Sequence, residues 1–157
     1  MNQVSGAAVP ATSGELPAMK LRYEVPGDDL SLAGKASAEV KRALGRLGVD
    51  PATIKRIAVA MYEAEINMAI HAGGGTAEAE IVPGRIVLTL HDEGPGIADL
   101  DLAMQEGYST APEHVRELGF GAGMGLPNMK RNADELTIDS APGSGTTIMM
   151  MIRLDTG

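Results

Sequence analysis

The stretch "DPATIKRIAVAMYEAEINMAIHAGGG", residues 50–75, carries helix signals at both of its ends. Asp50 followed by Pro51 is a start signal, because an aspartate accepts hydrogen bonds from free backbone N–H groups and proline fits the first helical position. Three consecutive glycines, residues 73–75, end the helix. Together these signals predict one helix from Pro51 to about Ala72.

This predicted helix carries a polar stripe on an otherwise apolar surface. Glu63, Asn67 and His71 are spaced by four residues, so they lie along one face. Glu65 points into the apolar side, where it either reaches an edge or pairs with a basic residue. A polar stripe on a buried helix requires partners, and a solvated face or a local i,i+4 network is the simpler alternative. The opposite side is formed by Ile54, Ile57, Ala58, Met61 and Met68.

The sequence before this helix predicts a tail and two further elements. Residues 1–18 are small, polar and interrupted by proline, which predicts a flexible tail ahead of one domain over residues 19–157. "KLRYEV", residues 20–25, predicts a short strand. Apolar residues at helical spacing then predict an amphipathic helix from Asp29, as its cap, to near Gly48.

The sequence after the long helix predicts two β-hairpins. One joins "TAEAEIV" and "RIVLTLH" through a Pro-Gly turn, and the other joins "ELTIDS" and "GTTIMMMIRL" through "APGSG". Between the hairpins we expect a short helix over residues 99–105, a loop to about residue 122 and a helix from Met124 to about Ala133. Separate runs of helix and hairpin favour the α+β class.

The composition excludes several kinds of partner and site. The chain has 157 residues and a formal net charge of −8, which argues against a nucleic-acid backbone or an anionic membrane as partner, because both bind basic surfaces. There is no cysteine, so no disulfide framework and no thiolate metal site is expected. The apolar run at residues 148–152 is too short to span a bilayer, and no leading segment suggests export. We therefore expect a cytoplasmic protein.

"DEGPGIADL", residues 92–100, follows the strand-like "RIVLTLH" without a break. The glycines and the proline end the strand, so Asp92 lies at a strand end beside backbone that a flat ligand can approach closely. A carboxylate there can accept a hydrogen bond from the amino group of a nucleobase. A capped tight turn is the alternative for this motif taken alone.

"GFGAGMGLPNMKR" begins at Gly119 and places alternating glycines directly before a predicted helix. Such a segment can present backbone N–H groups and a helix N-terminus to phosphates. It is not a Walker loop, because no GK[ST] follows, and it does not follow a strand as a Rossmann loop does. A flexible loop is the alternative.

Taken in order, "EAEINMAIHA", "DEGPGI", "GFGAGMGL" and "GSGTT" resemble the N, G1, G2 and G3 boxes of the GHKL ATPases, the family of gyrase, Hsp90, histidine kinases and MutL. The resemblance covers about residues 19–154. It implies an α+β two-layer sandwich of the Bergerat type, with a mixed, mostly antiparallel sheet covered on one face by helices and a mobile lid over ATP. The spacing Glu-x-x-x-Asn-x-x-x-His is most similar to that of stand-alone anti-sigma-factor serine/threonine kinases.

The resemblance implies a role for each motif residue. Glu63 would orient or deprotonate the attacking hydroxyl, and Asn67 would bind Mg²⁺. His71 would either lie near the phosphates or anchor the end of the helix. Asp92 would accept from the adenine amino group. The remaining nucleotide-binding residues would be Gly94, Gly96, Ile97, Gly121, Gly123, Met124, Gly125, Leu126 and Thr146.

The charge of the transferred phosphoryl group needs a cation, and the resemblance offers two candidates. Related kinases carry an arginine shortly before the G2 glycines, which points to Arg116 as a catalytic residue. Lys130 is the second candidate, although a base at that point of a helix is more often an exposed surface residue.

The same resemblance implies the partners. They are a STAS-domain anti-anti-sigma or scaffold protein as phosphoacceptor, a sigma factor or a phosphatase, and a second copy in a homodimer. A nucleotide-gated binding module with little kinase activity stays open, because Glu65 stands where relatives carry a small or apolar residue and the lid has extra glycine. An ATPase-fold domain that serves another regulator is the third possibility.

Overall fold

The computed structural model describes residues 18–27, 30–97, 104 and 125–154. Within these ranges the chain forms five strands, three α-helices and one 3₁₀ turn. In chain order they are β1 (Met19–Pro26), the 3₁₀ turn (Leu30–Leu32), α1 (Lys35–Arg46), α2 (Pro51–Ala72), β2 (Gly74–Val82), β3 (Arg85–Asp92), α3 (Gly125–Asn132), β4 (Glu135–Ser140) and β5 (Thr146–Arg153).

Both predicted hairpins and the short first strand are confirmed within one sheet. Its strand order is β1-β2-β3-β5-β4, and all four pairings are antiparallel. The expectation of a mixed sheet is therefore wrong for the described strands. Two of the pairings, β2–β3 and β4–β5, are hairpins, and a hairpin imposes antiparallel pairing. The pairings β1–β2 and β3–β5 follow longer connections and are antiparallel as well.

Helix α2 confirms its predicted start and end. The side chain of Asp50 accepts hydrogen bonds from the N–H groups of Ala52 at 3.1 Å and Thr53 at 3.2 Å, and Pro51 occupies the first turn. Gly73 ends the helix in the left-handed conformation, at φ 71°. The helix is buried over much of its circumference, as its apolar pattern predicts.

The three helices cover one face of the sheet, which confirms the two-layer α+β prediction. Helix α2 lies between α1 and α3 and contacts four of the strands. Alternate residues of the central strands point into this core, and the others form a more exposed outer face that includes Met149. No helix in the described ranges has the length and apolar character to cross a membrane. The inward strand residues include Ala77, Ala79, Ile81, Ile86, Leu88, Leu90, Ile148, Met150 and Ile152.

Helix α1 begins later than predicted. It was expected from Asp29, which lies outside the described residues, but its first turn starts after Gly34, whose φ of 98° interrupts the helix. The acceptor for this helix end comes from α2. The Glu65 carboxylate accepts hydrogen bonds from the N–H groups of Gly34 at 2.9 Å, Ala36 at 3.1 Å and Ser37 at 3.0 Å.

These bonds account for a carboxylate on the apolar side of α2. Glu65 is only 1% exposed, so it does not reach an edge, and among the described residues it pairs with backbone N–H groups and with no basic side chain. Both expectations for it are therefore wrong. The N–H groups of a first helical turn have no partner within their own helix. The Glu65 carboxylate supplies the acceptor that these N–H groups need, and the N–H groups supply the donors that a buried carboxylate needs.

The Glu65→Gln substitution should lower the free energy of unfolding by about 2–4 kcal/mol, because glutamine keeps one acceptor oxygen and turns an NH₂ group toward backbone donors. Urea denaturation followed by circular dichroism measures the change. Glu39→Gln is the matched control on α1, because Glu39 forms a solvent-exposed ion pair with Arg42. The control should cost about 0.5 kcal/mol or less. Equal losses in the two variants would contradict the role given to Glu65.

Candidate active site

The predicted stripe on α2 lies at the border between the core and the surface. Glu63, Asn67 and His71 are each partly buried, whereas Ile57, Met61 and Met68 on the opposite side of the helix are buried. The stripe begins beside α3 and ends beside the last residues of β3. The structure therefore brings the three side chains onto one face, as their spacing predicts.

Glu63 faces the first turn of α3. Its Oε2 atom is 3.4 Å from the point that a Cβ atom would occupy on Gly125. Burial raises the pKa of Glu63, and a hydrogen bond from the Asn128 side chain partly opposes that rise. A carboxylate whose proton affinity is raised while it stays partly accessible is suited to accept a proton. Asn128 is a residue of this site that the sequence motifs did not indicate.

His71 lies in the last turn of α2, within the electrostatic influence of Asp92. Burial lowers the pKa of His71, and the nearby Asp92 carboxylate partly raises it again. The lowered pKa favours the neutral imidazole at neutral pH. His71 was predicted either to lie near the phosphates or to anchor the end of the helix. Its position in the last turn of α2 agrees with the second prediction, and its role there stays a prediction.

Asp92 is the last residue of β3 and is only 7% exposed. Its Oδ1 atom accepts a hydrogen bond from the N–H of Gly94 at 2.9 Å, which turns the chain away from the sheet. The two expectations for this motif, a capped turn and an acceptor for a nucleobase, are therefore compatible. The Oδ1 atom of Asp92 caps the turn, and its Oδ2 atom can accept a hydrogen bond from a ligand. A Cβ atom on Gly94 would lie 2.5 Å from the Cβ of Ala72 at the end of α2, so the turn and the helix touch.

Thr146 and Ile97 are joined by a side chain that sequence reasoning missed, that of Ser140. The Ser140 hydroxyl accepts from the N–H of Ile97 at 2.7 Å and lies 2.8 Å from the Thr146 Oγ1 atom. Thr146 is directly opposite Asp92 in the β3–β5 pairing and opposite Ser140 in the β4–β5 pairing. The hairpin register around "APGSG" was the signal that could have identified Ser140.

The loop after Asp92 packs closely on the β4–β5 turn. Gly96 has a φ of 79°, and a Cβ atom on it would lie 2.1 Å from the carbonyl oxygen of Ala141. The N–H of Gly143 donates to the carbonyl oxygen of Pro95 at 2.7 Å. The G1 and G3 motifs therefore form one unit at this edge of the sheet.

Of the remaining predicted residues, two lie within the described ranges and four lie outside them. Leu126 is buried in the first turn of α3 as part of the hydrophobic core. Lys130 is exposed and lines a separate cavity of about 500 Å³ with Met104, Asp134, Leu136 and Ile138. This position agrees with the surface alternative for Lys130. Arg116, Gly121, Gly123 and Met124 lie outside the described residues.

Comparison with known sequences places this site in a family. A family model described as the histidine kinase-like ATPase domain matches residues 28–152. The chain belongs to the histidine kinase-like ATPase family. The resemblance drawn from the four boxes is thereby confirmed.

Two relatives refine the position of this ATPase domain within the family. The serine/threonine-protein kinase RsbT of Bacillus subtilis is 35% identical over 124 residues, which are 76% of this chain and 85% of that protein. An anti-sigma F factor of Caldanaerobacter subterraneus is 40% identical over 110 residues, which are 65% of this chain and 73% of that protein. Both agree with the predicted anti-sigma kinase subgroup.

Solved structures show the same fold. The RsbU and RsbW domains of Rv1364c from Mycobacterium tuberculosis give a TM-score of 0.60 at 19% identity, over 88% of this chain and 33% of that longer chain. The SiaB–SiaC complex of Pseudomonas aeruginosa gives a TM-score of 0.54 at 17% identity, over 84% of this chain and 88% of that one.

The described part of the ATPase site fits a magnesium nucleotide. Asp92 offers a buried acceptor beside the close-packed Gly94, which suits the amino group of a flat base. Asn67 offers an amide oxygen on the partly exposed face of α2, and oxygen is the ligand that Mg²⁺ prefers. Among the described residues there is no cluster of three or more His, Asp or Glu side chains that could hold a metal ion. Mg²⁺ commonly binds through one or two protein groups and substrate phosphates.

The Gly96→Ala substitution should destabilise the domain more than Gly143→Ala does. Both glycines have a positive φ, 79° and 77°, but a Cβ atom meets the Ala141 carbonyl only at Gly96. The shared backbone strain should cost about 1–2 kcal/mol in each variant. The clash should add about 1–3 kcal/mol for Gly96. Urea denaturation of the two variants measures the difference, and equal losses would show that the close contact does not constrain the loop.

Proposed function

We propose that this chain is an ATP-dependent serine/threonine protein kinase that transfers the γ-phosphate of ATP to a STAS-domain partner. The observation that carries the proposal is the environment of Glu63. Its carboxylate has a raised pKa through burial and faces the start of α3. Asn67 lies one turn along the same helix face, and the acceptor Asp92 lies at the strand end beyond it.

The described side chains divide the work of such a kinase. Bound Mg-ATP supplies the phosphoryl group and part of the charge neutralisation that its transfer requires. Asp92 accepts a hydrogen bond from the amino group of adenine and so orients the nucleotide. Asn67 offers its amide oxygen to Mg²⁺. Glu63 accepts a hydrogen bond from the serine or threonine hydroxyl of the partner, aligns its oxygen and takes its proton.

The names of the relatives support the kinase activity and a part in the regulation of a sigma factor. One is named a serine/threonine-protein kinase and several are named anti-sigma F factors. We propose that this chain takes part in the same kind of regulation, with a STAS-domain anti-anti-sigma or scaffold protein as phosphoacceptor. In its free form it would bind a sigma factor or a phosphatase, and two copies would associate as a homodimer.

The nucleotide-gated binding module is the second candidate, and the contacts of Glu65 make it less favoured. Glu65 suggested a damaged catalytic helix, but its carboxylate caps α1 on the side of α2 away from Glu63. A glutamate at this position is therefore compatible with an intact stripe. The extra glycine before α3 lies outside the described residues.

Asp92→Asn should weaken ATP binding by about tenfold or more. The Gly94 N–H requires an acceptor at Oδ1, so the asparagine oxygen stays there and its NH₂ group faces the amino group of the base. Calorimetric titration with Mg-ATP measures the affinity, and Asp139→Asn on exposed β4 is the matched control. Affinity in Asp92→Asn equal to that of the wild type would remove Asp92 from the nucleotide site.

Glu63→Gln should reduce phosphotransfer by about 10²–10⁴-fold while ATP affinity stays close to that of the wild type. The assay follows labelled γ-phosphate from ATP to a purified STAS-domain anti-anti-sigma protein. Glu135→Gln, an exposed glutamate on β4, is the control and should transfer at the wild-type rate. Nucleotide binding without transfer in the wild-type protein would favour the gated module.

A further inference from the structure

The single hydroxyl group of Ser140 makes three polar contacts at the strand edge that holds Asp92. Its Oγ atom accepts from the N–H of Ile97 at 2.7 Å, lies 2.8 Å from the Thr146 Oγ1 atom and is 3.2 Å from the carbonyl oxygen of Gly145. Ser140 is the half-buried last residue of β4, and Thr146 is the first residue of β5. One hydroxyl thereby joins the loop after Asp92 to the start of β5.

The direction of these hydrogen bonds follows from counting hydrogens. A serine hydroxyl donates one hydrogen and accepts through two lone pairs. The N–H of Ile97 takes one lone pair, and the Gly145 carbonyl, which can only accept, takes the serine hydrogen. The contact with Thr146 is then satisfied when the threonine donates its own hydrogen to the second lone pair of Ser140. This direction satisfies all three contacts, whereas the reverse one deprives the Gly145 carbonyl of the serine hydrogen.

This direction decides what Thr146 can offer to a ligand. Thr146 lies directly opposite Asp92 in the β3–β5 pairing, and both side chains are buried on the same face of the sheet. With its hydrogen donated to Ser140, the threonine can only accept, and an ionised aspartate can only accept as well. Two neighbouring acceptors fit an exocyclic amino group and disfavour a carbonyl oxygen at the same place.

We propose that Ser140 is a positioning residue for base recognition: its hydroxyl holds the Thr146 hydrogen away from the base, so that Thr146 and Asp92 together select a 6-aminopurine nucleotide. This inference rests on the proposed function, because it takes Thr146 and Asp92 as residues of the nucleotide site. The four sequence motifs do not include Ser140, which directly precedes the turn "APGSG".

Backbone contacts hold this edge of the sheet independently of the Ser140 hydroxyl. The N–H of Gly143 donates to the carbonyl oxygen of Pro95 at 2.7 Å, which ties the loop after Asp92 to the β4–β5 turn. The antiparallel pairing of β4 with β5 extends over all six residues of β4. Removal of the hydroxyl should therefore free the Thr146 hydrogen while the strands and the turn stay in place.

The test compares the dissociation constants of Mg-ATP and Mg-ITP, measured by calorimetric titration. Inosine triphosphate (ITP) carries a carbonyl oxygen where ATP carries the amino group. The wild-type protein should bind ATP about tenfold or more tightly than ITP. In Ser140→Ala the Thr146 hydroxyl loses its acceptor and can donate to the ITP carbonyl, so this preference should fall by about fivefold or more. Thr137→Ala removes an exposed hydroxyl from the same strand and should keep the wild-type preference.

Two further variants separate positioning from a general structural effect. Ser140→Thr retains a hydroxyl and should restore most of the preference for ATP. Thr146→Val removes the group through which Ser140 acts, so the addition of Ser140→Ala to Thr146→Val should not change the preference further. A merely structural role of Ser140 would weaken the binding of both nucleotides by the same factor and leave their ratio unchanged.

The outcomes distinguish this inference from the proposed function, because nucleotide selectivity is measured without phosphotransfer. A wild-type protein that prefers ATP and transfers no phosphate overturns the kinase proposal and leaves the role of Ser140 intact. An unchanged preference in Ser140→Ala, or a wild-type protein that binds ATP and ITP equally, overturns the inference alone. A wild-type protein that binds neither nucleotide overturns both.

Discussion

A single buried carboxylate, that of Glu65, determines how α1 and α2 meet. It accepts three backbone N–H groups at the start of α1, at 2.9–3.1 Å, while it is only 1% exposed. A buried carboxylate without donors and a buried helix end without acceptors are each costly, so the two stabilise each other only in this arrangement. The positive end of the α1 dipole favours the same placement. The start of α1 is therefore fixed by a residue of another helix.

The same contact fixes the rotation of α2 about its axis. Neighbouring positions on a helix differ by 100°, so Glu63 and Glu65 point in nearly opposite directions. Because Glu65 faces α1, Glu63 faces α3, where it lies close to Gly125 and Asn128. The buried carboxylate of Glu65 on one side of the helix thereby determines where the Glu63 carboxylate lies on the other. At the far end of the stripe, His71 reaches the strand edge that holds Asp92.

The strand edge is organised by sheet register, and its Gly94 turn also touches the end of α2. The β3–β5 pairing sets Thr146 opposite Asp92, and the β4–β5 pairing sets Ser140 opposite Thr146. Polar side chains from three strands therefore meet at one point. The backbone bond from Gly143 to Pro95 then holds the loop after Asp92 against the neighbouring turn. The geometry of this part of the site therefore follows from strand pairing.

Prediction from the sequence succeeded where a signal and its consequence lie close together in the chain. Asp50 and Pro51 predict the start of α2, and the turn residues predict both hairpins. These residues act on the backbone of their immediate neighbours in the chain. It failed where the partner is distant, and Glu65 is the clearest case, with bonds to residues 28 to 31 positions away. Glu63 and Glu65 are the same residue type on one helix. Residue type and spacing specify that the helix forms, and partners elsewhere in the fold decide which carboxylate is committed to structure and which remains available for chemistry.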